Sequence, residues 1–95
     1  MKIITVQIGN SDDKLSQQQW SDFAYLTGRE IAESSGEIYF SGFSHGGALW
    51  QNACWVFSIS GDKGNYALLK EKIKEIRKKF NQDSVAWTEG ETEFL

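Results

Sequence analysis

The stretch that decides the fold is LSQQQWSDFAYLTGREI, residues 15–31. Ser16 and Gln19 have the spacing of a capping box, and Leu15 and Trp20 occupy the two positions of a hydrophobic staple. The sequence therefore predicts a helix that begins directly after Ser16. Its buried face is predicted from residues at helical spacing, namely Trp20, Phe23, Ala24, Thr27 and Ile31. Its solvated side is predicted to carry Ser21, Asp22, Arg29 and Glu30.

Segments with the pattern of β-strands lie on both sides of this helix. KIITVQI, residues 2–8, has apolar residues at alternating positions, as a half-buried strand does. EIYFSGF, residues 37–43, is rich in β-forming residues, and a third strand is predicted within residues 50–60. The faces expected to meet the helices carry Ile4, Val6 and Ile8 in the first strand and Ala53, Trp55, Phe57 and Ile59 in the third.

A second helix and a fourth strand are predicted in the last third of the chain. Asn65 is the expected N-cap of the helix and Asn81 its stop. SVAWT, residues 84–88, is the predicted fourth strand, with Val85 and Trp87 on a shared face. The buried stripe of the helix is expected to be Leu69, Ile73, Ile76 and Phe80.

The resulting element order, βαββαβ, is that of the ferredoxin-like α+β sandwich, here a single domain over residues 1–95. Right-handed crossovers restrict the antiparallel sheet to the strand order 4-1-3-2, with both helices on one face. The other face is left uncovered, and a homodimer through this face is predicted because large exposed apolar patches are rare on monomers. This face is expected to carry Ile3, Thr5, Cys54 and Val56, beside aromatic residues of the second and fourth strands.

Composition narrows the classes of partner and location. The chain has 95 residues and a formal net charge of −3, so no general attraction for nucleic acid is expected. Cys54 is the single cysteine, which excludes an internal disulfide. No apolar run is long enough to cross a membrane, and a reduced, cytoplasmic setting is expected.

One motif of a serine hydrolase is present in the sequence. Residues 42–46, GFSHG, match G-x-S-x-G, which in hydrolases places the serine on a sharp turn between a strand and a helix. Here a further strand is predicted to follow, and the single histidine, His45, directly neighbours Ser44 instead of lying downstream. The motif is therefore interpreted as a hairpin connection that glycine permits.

Other chemical candidates are also weak in the sequence. His45 and Cys54 could form a thiolate pair, although Cys54 lies between Ala53 and Trp55 as an apolar strand residue does. One histidine, one cysteine and two adjacent aspartates lack the spacing of metal ligands, so neither a metal nor another cofactor is expected. The basic half of the second helix is interpreted as a solvated face, because acidic residues interrupt it.

The tryptophan-rich stretch ALWQNACW, residues 48–55, is left unexplained by folding alone. Trp50 and Trp55 are five residues apart, so on a regular strand they face opposite sides, and one of them is expected to lie away from the core. An outward tryptophan with amides beside it is typical of a binding surface, although it could equally cover the hairpin. The predicted binding residues are Trp50, Gln51, Asn52, His45, Asp12, Asp13 and Trp87.

Three stretches, IGNSDDKLSQQQW, WQNACW and QDSVAWTEGETEFL, together resemble small proteins of tailed phages and prophages whose function is not assigned. The resemblance implies an accessory protein that acts in the bacterial cytoplasm by binding a host protein, including a defence protein that it would inhibit. The resemblance assigns no catalytic residue in this sequence. A non-catalytic binding module is therefore the leading hypothesis.

Two alternatives stay open. One is a small-ligand or nucleotide site formed by backbone N–H groups of GNSDD and SHGG, with Trp50 or Trp87 as a stacking wall. The other is a small enzyme that uses Cys54 or His45.

Overall fold

The computed structural model describes residues 1–10, 14–45, 50–59 and 66–95 as one four-stranded sheet with two helices. The elements are β1 Lys2–Gly9, α1 Gln17–Ser34, β2 Glu37–Phe43, β3 Asn52–Ser58, α2 Tyr66–Lys79 and β4 Ala86–Glu91. The strands are all antiparallel and lie in the order β2-β3-β1-β4. Read from the other edge this is 4-1-3-2, so the predicted ferredoxin-like fold is confirmed.

The start of α1 and the end of α2 have the predicted signals. Ser16 Oγ accepts from the Gln19 backbone N–H at 3.2 Å, and Gln19 Oε1 accepts from the Ser16 N–H at 2.8 Å, which completes the capping box. At the end of α2, Asn81 adopts a φ of 56°, and the next N–H, that of Gln82, returns to the Arg77 carbonyl at 3.0 Å. Asparagine tolerates this left-handed conformation, so it ends the helix. The predicted N-cap, Asn65, lies outside the described residues.

The core lies between the helices and one face of the sheet. Phe23 of α1 stacks on Phe80 after α2 at 5.3 Å between ring centroids, and Phe57 of β3 meets Trp87 of β4 edge to face at 6.4 Å. The predicted core faces of α1, β1 and β3 are confirmed. The buried apolar residues are Ile4, Val6, Ile8, Leu15, Trp20, Phe23, Ala24, Ile31, Ala53, Trp55, Phe57, Leu69 and Ile73.

The fourth strand differs from its prediction at both ends. It begins at Ala86, two residues later than expected, because Arg77 holds the preceding segment by donating to the carbonyls of Gln82 and Asp83. It continues to Glu91, because β1 already begins at Lys2 and keeps its antiparallel partner paired to that point. The polar end of β4 lacked the alternation from which strands are predicted.

Candidate functional site

β2 forms one edge of the sheet and contains a β-bulge. Ile38 pairs with Phe57, but the next pair along the ladder joins Phe40 to Val56, so Tyr39 is an extra residue on β2. Phe57 faces the helices, and Ile38 opposite it does the same. Because the bulge interrupts the alternation, the aromatic residues Tyr39 and Phe40 follow each other opposite a single residue of β3.

Apolar side chains of β2 are exposed on both of its faces. Ile38 and Phe43, on the helix side, are 39% and 68% exposed, and Tyr39 and Phe40 are 40% and 55% exposed. α1 packs above β3, where a Cβ at Gly28 would lie 3.2 Å from the Trp55 indole nitrogen, and it leaves the helix side of β2 open. An edge strand that is apolar on both faces is unusual, because exposed apolar edges promote association.

A groove of about 630 Å³ separates α1 from β2, and it is called the α1–β2 groove below. Trp55 forms its floor and Arg29 lies at its rim. Its walls are formed by Trp20, Ser21, Ala24, Tyr25 and Gly28 from α1 and by Ile38, Ser41 and Phe43 from β2.

The face of the sheet opposite the helices, called the open sheet face, combines half-buried and exposed residues. The predicted residues Ile3, Thr5, Cys54 and Val56 are half-buried there. Phe40 lies over Gly42, where an added Cβ would approach the phenyl ring to 2.8 Å. The second strand thus supplies the predicted aromatic residues.

The fourth strand does not supply an aromatic residue to the open sheet face. Trp87 pairs with the buried Val6 and packs against the core, so it lies on the helix side. Ala86 and Thr88, which pair with Gln7 and Thr5, lie on the open side. The expectation that this strand supplies an aromatic residue to the open sheet face was wrong. Side chains alternate along a strand, so the residues on either side of the core-facing Trp87, which are small, face the open side.

The predicted binding residues around Trp50 have different surroundings. Trp50 is 49% exposed and Trp55 is buried, so one tryptophan lies away from the core as expected. The amide of Gln51 forms a reciprocal pair with the amide of Gln17, with the closer contact at 2.9 Å. The exposed Asn52 donates to the Trp50 carbonyl at 3.2 Å. The amides beside Trp50 therefore already have partners within the chain.

Trp87 lies in a charged cluster at the start of α2. Its indole N–H donates to Glu89 Oε1 at 3.0 Å, and Lys70 Nζ lies 5.1 Å from its ring centroid. Glu89 also forms ion pairs with Lys2 at 3.5 Å and Lys70 at 3.4 Å. The hydrogen bond from Trp87, supported by the two lysines, outweighs partial desolvation and lowers the pKa of Glu89.

The remaining predicted residues do not assemble a catalytic or metal centre in the described part of the chain. His45 is exposed after the end of β2, and Ser44 Oγ accepts from the Asn52 backbone N–H at 3.1 Å, as part of the hairpin. Cys54 is half-buried. Asp12 and Asp13 lie outside the described residues, and no cluster suited to a metal ion is found among the residues that are described.

Two other concavities could accept a small molecule. One, of about 510 Å³, lies between α2 and β4 and is called the α2–β4 groove; Lys70, Lys74, Arg77 and Trp87 are among its walls. The other, of about 440 Å³, lies at the end of the sheet, where Asn52 and Cys54 are among its lining residues.

Comparison with known proteins adds little to this description. No protein-family model and no curated protein matches the chain. Among solved structures it is similar to a dimeric ferredoxin-like protein from an uncultured marine organism, with a TM-score of 0.40 and 12% identity over 99% of this chain and 90% of that chain. Within the described ranges, neither helix is both long and apolar enough to span a membrane.

Sequence reasoning missed the α1–β2 groove. The sequence predicted that Arg29 lies on the solvated side of α1, and it is exposed there, but no binding role was predicted for it. A signal was nevertheless present in β2, since EIYFSGF has apolar residues at both even and odd positions. A strand with one buried face alternates, so this pattern marks a strand that offers apolar groups on two sides.

Proposed function

We propose that this protein is a non-catalytic protein-binding module whose contact surface is centred on β2. The observation that carries the proposal is that β2 is an edge strand with apolar side chains exposed on both faces. Natural edge strands are protected by charges, by proline, by bulges or by a covering segment, and of these β2 has the bulge at Tyr39. β2 has Glu37 as its one charged residue and contains no proline.

The exposed area supports a binding role. A buried aromatic residue covers about 150–250 Å². With exposed fractions of 40–68%, the three aromatic residues of β2 leave roughly 300 Å² in contact with water. This area is divided between the two faces of one edge strand, so a partner that pairs with β2 could cover both parts of it.

A second copy of the chain is the proposed occupant of the open sheet face. Phe40, Val56 and Cys54 lie together on this face, and the open sides of β1 and β4 continue it with small and uncharged residues. Two such faces related by a two-fold axis are self-complementary. Mass measurement by light scattering at micromolar concentration tests the pairing, with twice the chain mass expected.

The proposed setting is the cytoplasm of a bacterium infected by a phage or carrying a prophage, where the module binds and inhibits a host protein. The resemblance of three stretches of the sequence to small phage proteins supports this setting. Inhibition of a defence protein is the form of action proposed here.

Affinity capture from a bacterial lysate tests the binding function. The wild-type chain is expected to retain a specific host protein, and Phe43→Ser is expected to lose it, because Phe43 is the most exposed apolar residue of β2. Leu68→Ser is the matched control, since Leu68 is an exposed apolar residue of α2. Equal capture by all three folded proteins would refute a contact surface centred on β2.

A small-anion site is the second candidate function, and the α2–β4 groove is the observation that favours it. Lys70 lies over the ring of Trp87, and Lys74 and Arg77 line the same groove, a combination that could hold a phosphate beside a stacked base. Titration with a panel of nucleotides would then change tryptophan fluorescence saturably, and Trp87→Phe would remove the change. A flat response across the panel would eliminate this candidate.

A further inference from the structure

The outer edge of β2, which borders the α1–β2 groove, presents backbone hydrogen-bonding groups that are not paired with β3. Ser44 N donates to the Asn52 carbonyl at 2.8 Å, which fixes the phase of the β2–β3 ladder. Every second residue before Ser44 therefore points its N–H and C=O toward β3, and the residues between them point these groups outward. Ser41 and Phe43 are the outward ones, and their side chains also line the groove.

The floor of the groove contains an unused donor. Trp55 is 7% exposed, and its indole N–H donates to no described residue, yet the nitrogen is not among the unpaired atoms that are sealed from solvent. The nitrogen faces Gly28, where an added Cβ would lie at 3.2 Å. The missing side chain at Gly28 thus leaves the indole N–H accessible from the groove.

The groove is charged at one end and apolar at the other. Only two residues separate α1 from β2, so the two elements run antiparallel and Arg29 lies toward Ile38. Trp20 and Phe43 lie at the opposite end. Arg29 is exposed and forms no ion pair with any carboxylate of the described residues, so its charge is open to a partner.

We propose that this groove binds an extended peptide segment of the partner protein, which pairs as an additional antiparallel strand with Ser41 and Phe43. The segment carries an apolar side chain opposite Phe43 and an acceptor that reaches Trp55. Four residues after the apolar one it carries an acidic side chain, which meets Arg29. This proposal rests on the protein-binding function proposed above.

The charge of the groove favours a foreign peptide over β2 of a second copy. Glu37, the one carboxylate of β2, precedes Ile38 and lies on the other face of the strand, so β2 of another copy would leave the charge of Arg29 without a partner. A second copy remains the proposed occupant of the open sheet face.

A displayed library of random heptapeptides, selected on the full-length chain, tests the proposal. The enriched peptides are expected to alternate, with an apolar residue followed four positions later by Asp or Glu. Selection on Arg29→Glu is expected to exchange that acidic preference for a basic one. Lys78→Ala, a change of an exposed basic residue on α2, is expected to leave the pattern unchanged.

The most enriched peptide is then synthesised and its dissociation constant measured by fluorescence. N-methylation of the residue that pairs with Ser41 is expected to weaken binding at least tenfold, since it removes a backbone donor and leaves the side chains unchanged. Gly28→Ala is expected to weaken binding at least fivefold, because the new methyl group covers the Trp55 N–H. An enriched pattern that is insensitive to both Arg29→Glu and N-methylation would overturn the proposal, as would peptides that reproduce EIYFSGF.

Lysate capture separates failure of the groove from failure of the proposed function. If Phe43→Ser abolishes capture of a host protein while Arg29→Glu and Gly28→Ala retain it fully, the module binds through β2 but without the contacts to Arg29 and Trp55 that the proposal requires. If wild-type chain captures nothing, the proposed function itself fails.

Discussion

Replacing the buried Asn10 with alanine is expected to reduce the free energy of unfolding by roughly 2–6 kcal/mol. Asn10 is 4% exposed, and its Oδ1 accepts from the Leu15 N–H at 3.2 Å. Its Nδ2 donates to the Leu15 carbonyl and to Gln51 Oε1, each at 3.2 Å. Alanine would leave both backbone groups of Leu15 unpaired, at about 1–3 kcal/mol for each buried group. Gln51 would keep its contact with Gln17, so its loss adds little.

Thermal unfolding followed by circular dichroism measures this effect. A loss of 1 kcal/mol lowers the Tm of a domain of this size by about 4–8 °C, so a decrease of at least roughly 8 °C is expected for Asn10→Ala. Gln18→Ala is the matched control, because Gln18 forms one exposed hydrogen bond with Asp22 and should change stability by less than about 0.5 kcal/mol. A loss below about 1 kcal/mol for Asn10→Ala would refute the reasoning, since it would show that Leu15 is satisfied in another way.

Three further predictions concern the core, the pH dependence and the oligomer. Thr27→Val should raise the free energy of unfolding by about 1 kcal/mol, because the fully buried Thr27 hydroxyl has no hydrogen-bond partner in the described structure. Denaturant unfolding measures this change, and a loss of stability would contradict the prediction. Because the pKa of Glu89 is lowered in the fold, its charged carboxylate stabilises the fold above the ordinary Glu pKa, and this contribution is lost as the pH falls through the lower folded value. Glu89→Gln should therefore flatten the dependence of the free energy of unfolding on pH in that acidic range. An unchanged pH dependence would contradict this prediction. Val56→Glu should convert the dimer to monomer in light scattering while Gln18→Glu should not, and a wild-type monomer at high concentration would refute the pairing.

The sequence predicted most of the fold because its signals were local. The capping box at Ser16 and the left-handed stop at Asn81 each depend on a few neighbouring residues, and both are present as predicted. The strand order followed from the crossover rule once the element order was known. The bounds of β4 were missed, because its pairing is imposed by β1 across the sheet and leaves no alternation in its own residues.

The candidate site depended on distances that no local pattern contains. Gly28 of α1 lies close to Trp55 of β3, and Ile38 and Phe43 of the neighbouring strand stay exposed. The bulge at Tyr39 likewise arises from pairing with β3. Sequence reasoning instead placed the binding surface around Trp50, where the unusual residues are adjacent in the chain.

The distinction between these two regions is whether a polar group already has a partner inside the chain. Gln51 was predicted to bind a ligand, yet its amide contacts Gln17 and Asn10, and breaking these contacts would cost the fold stability. The indole N–H of Trp55 and the guanidinium of Arg29 have no such contact among the described residues, so a ligand can bind them without disrupting an internal bond. A new contact stabilises a complex only by the free energy that it adds beyond that of the contact it replaces. Of these two regions, the α1–β2 groove is therefore the one where a partner can bind with less loss of internal hydrogen bonds.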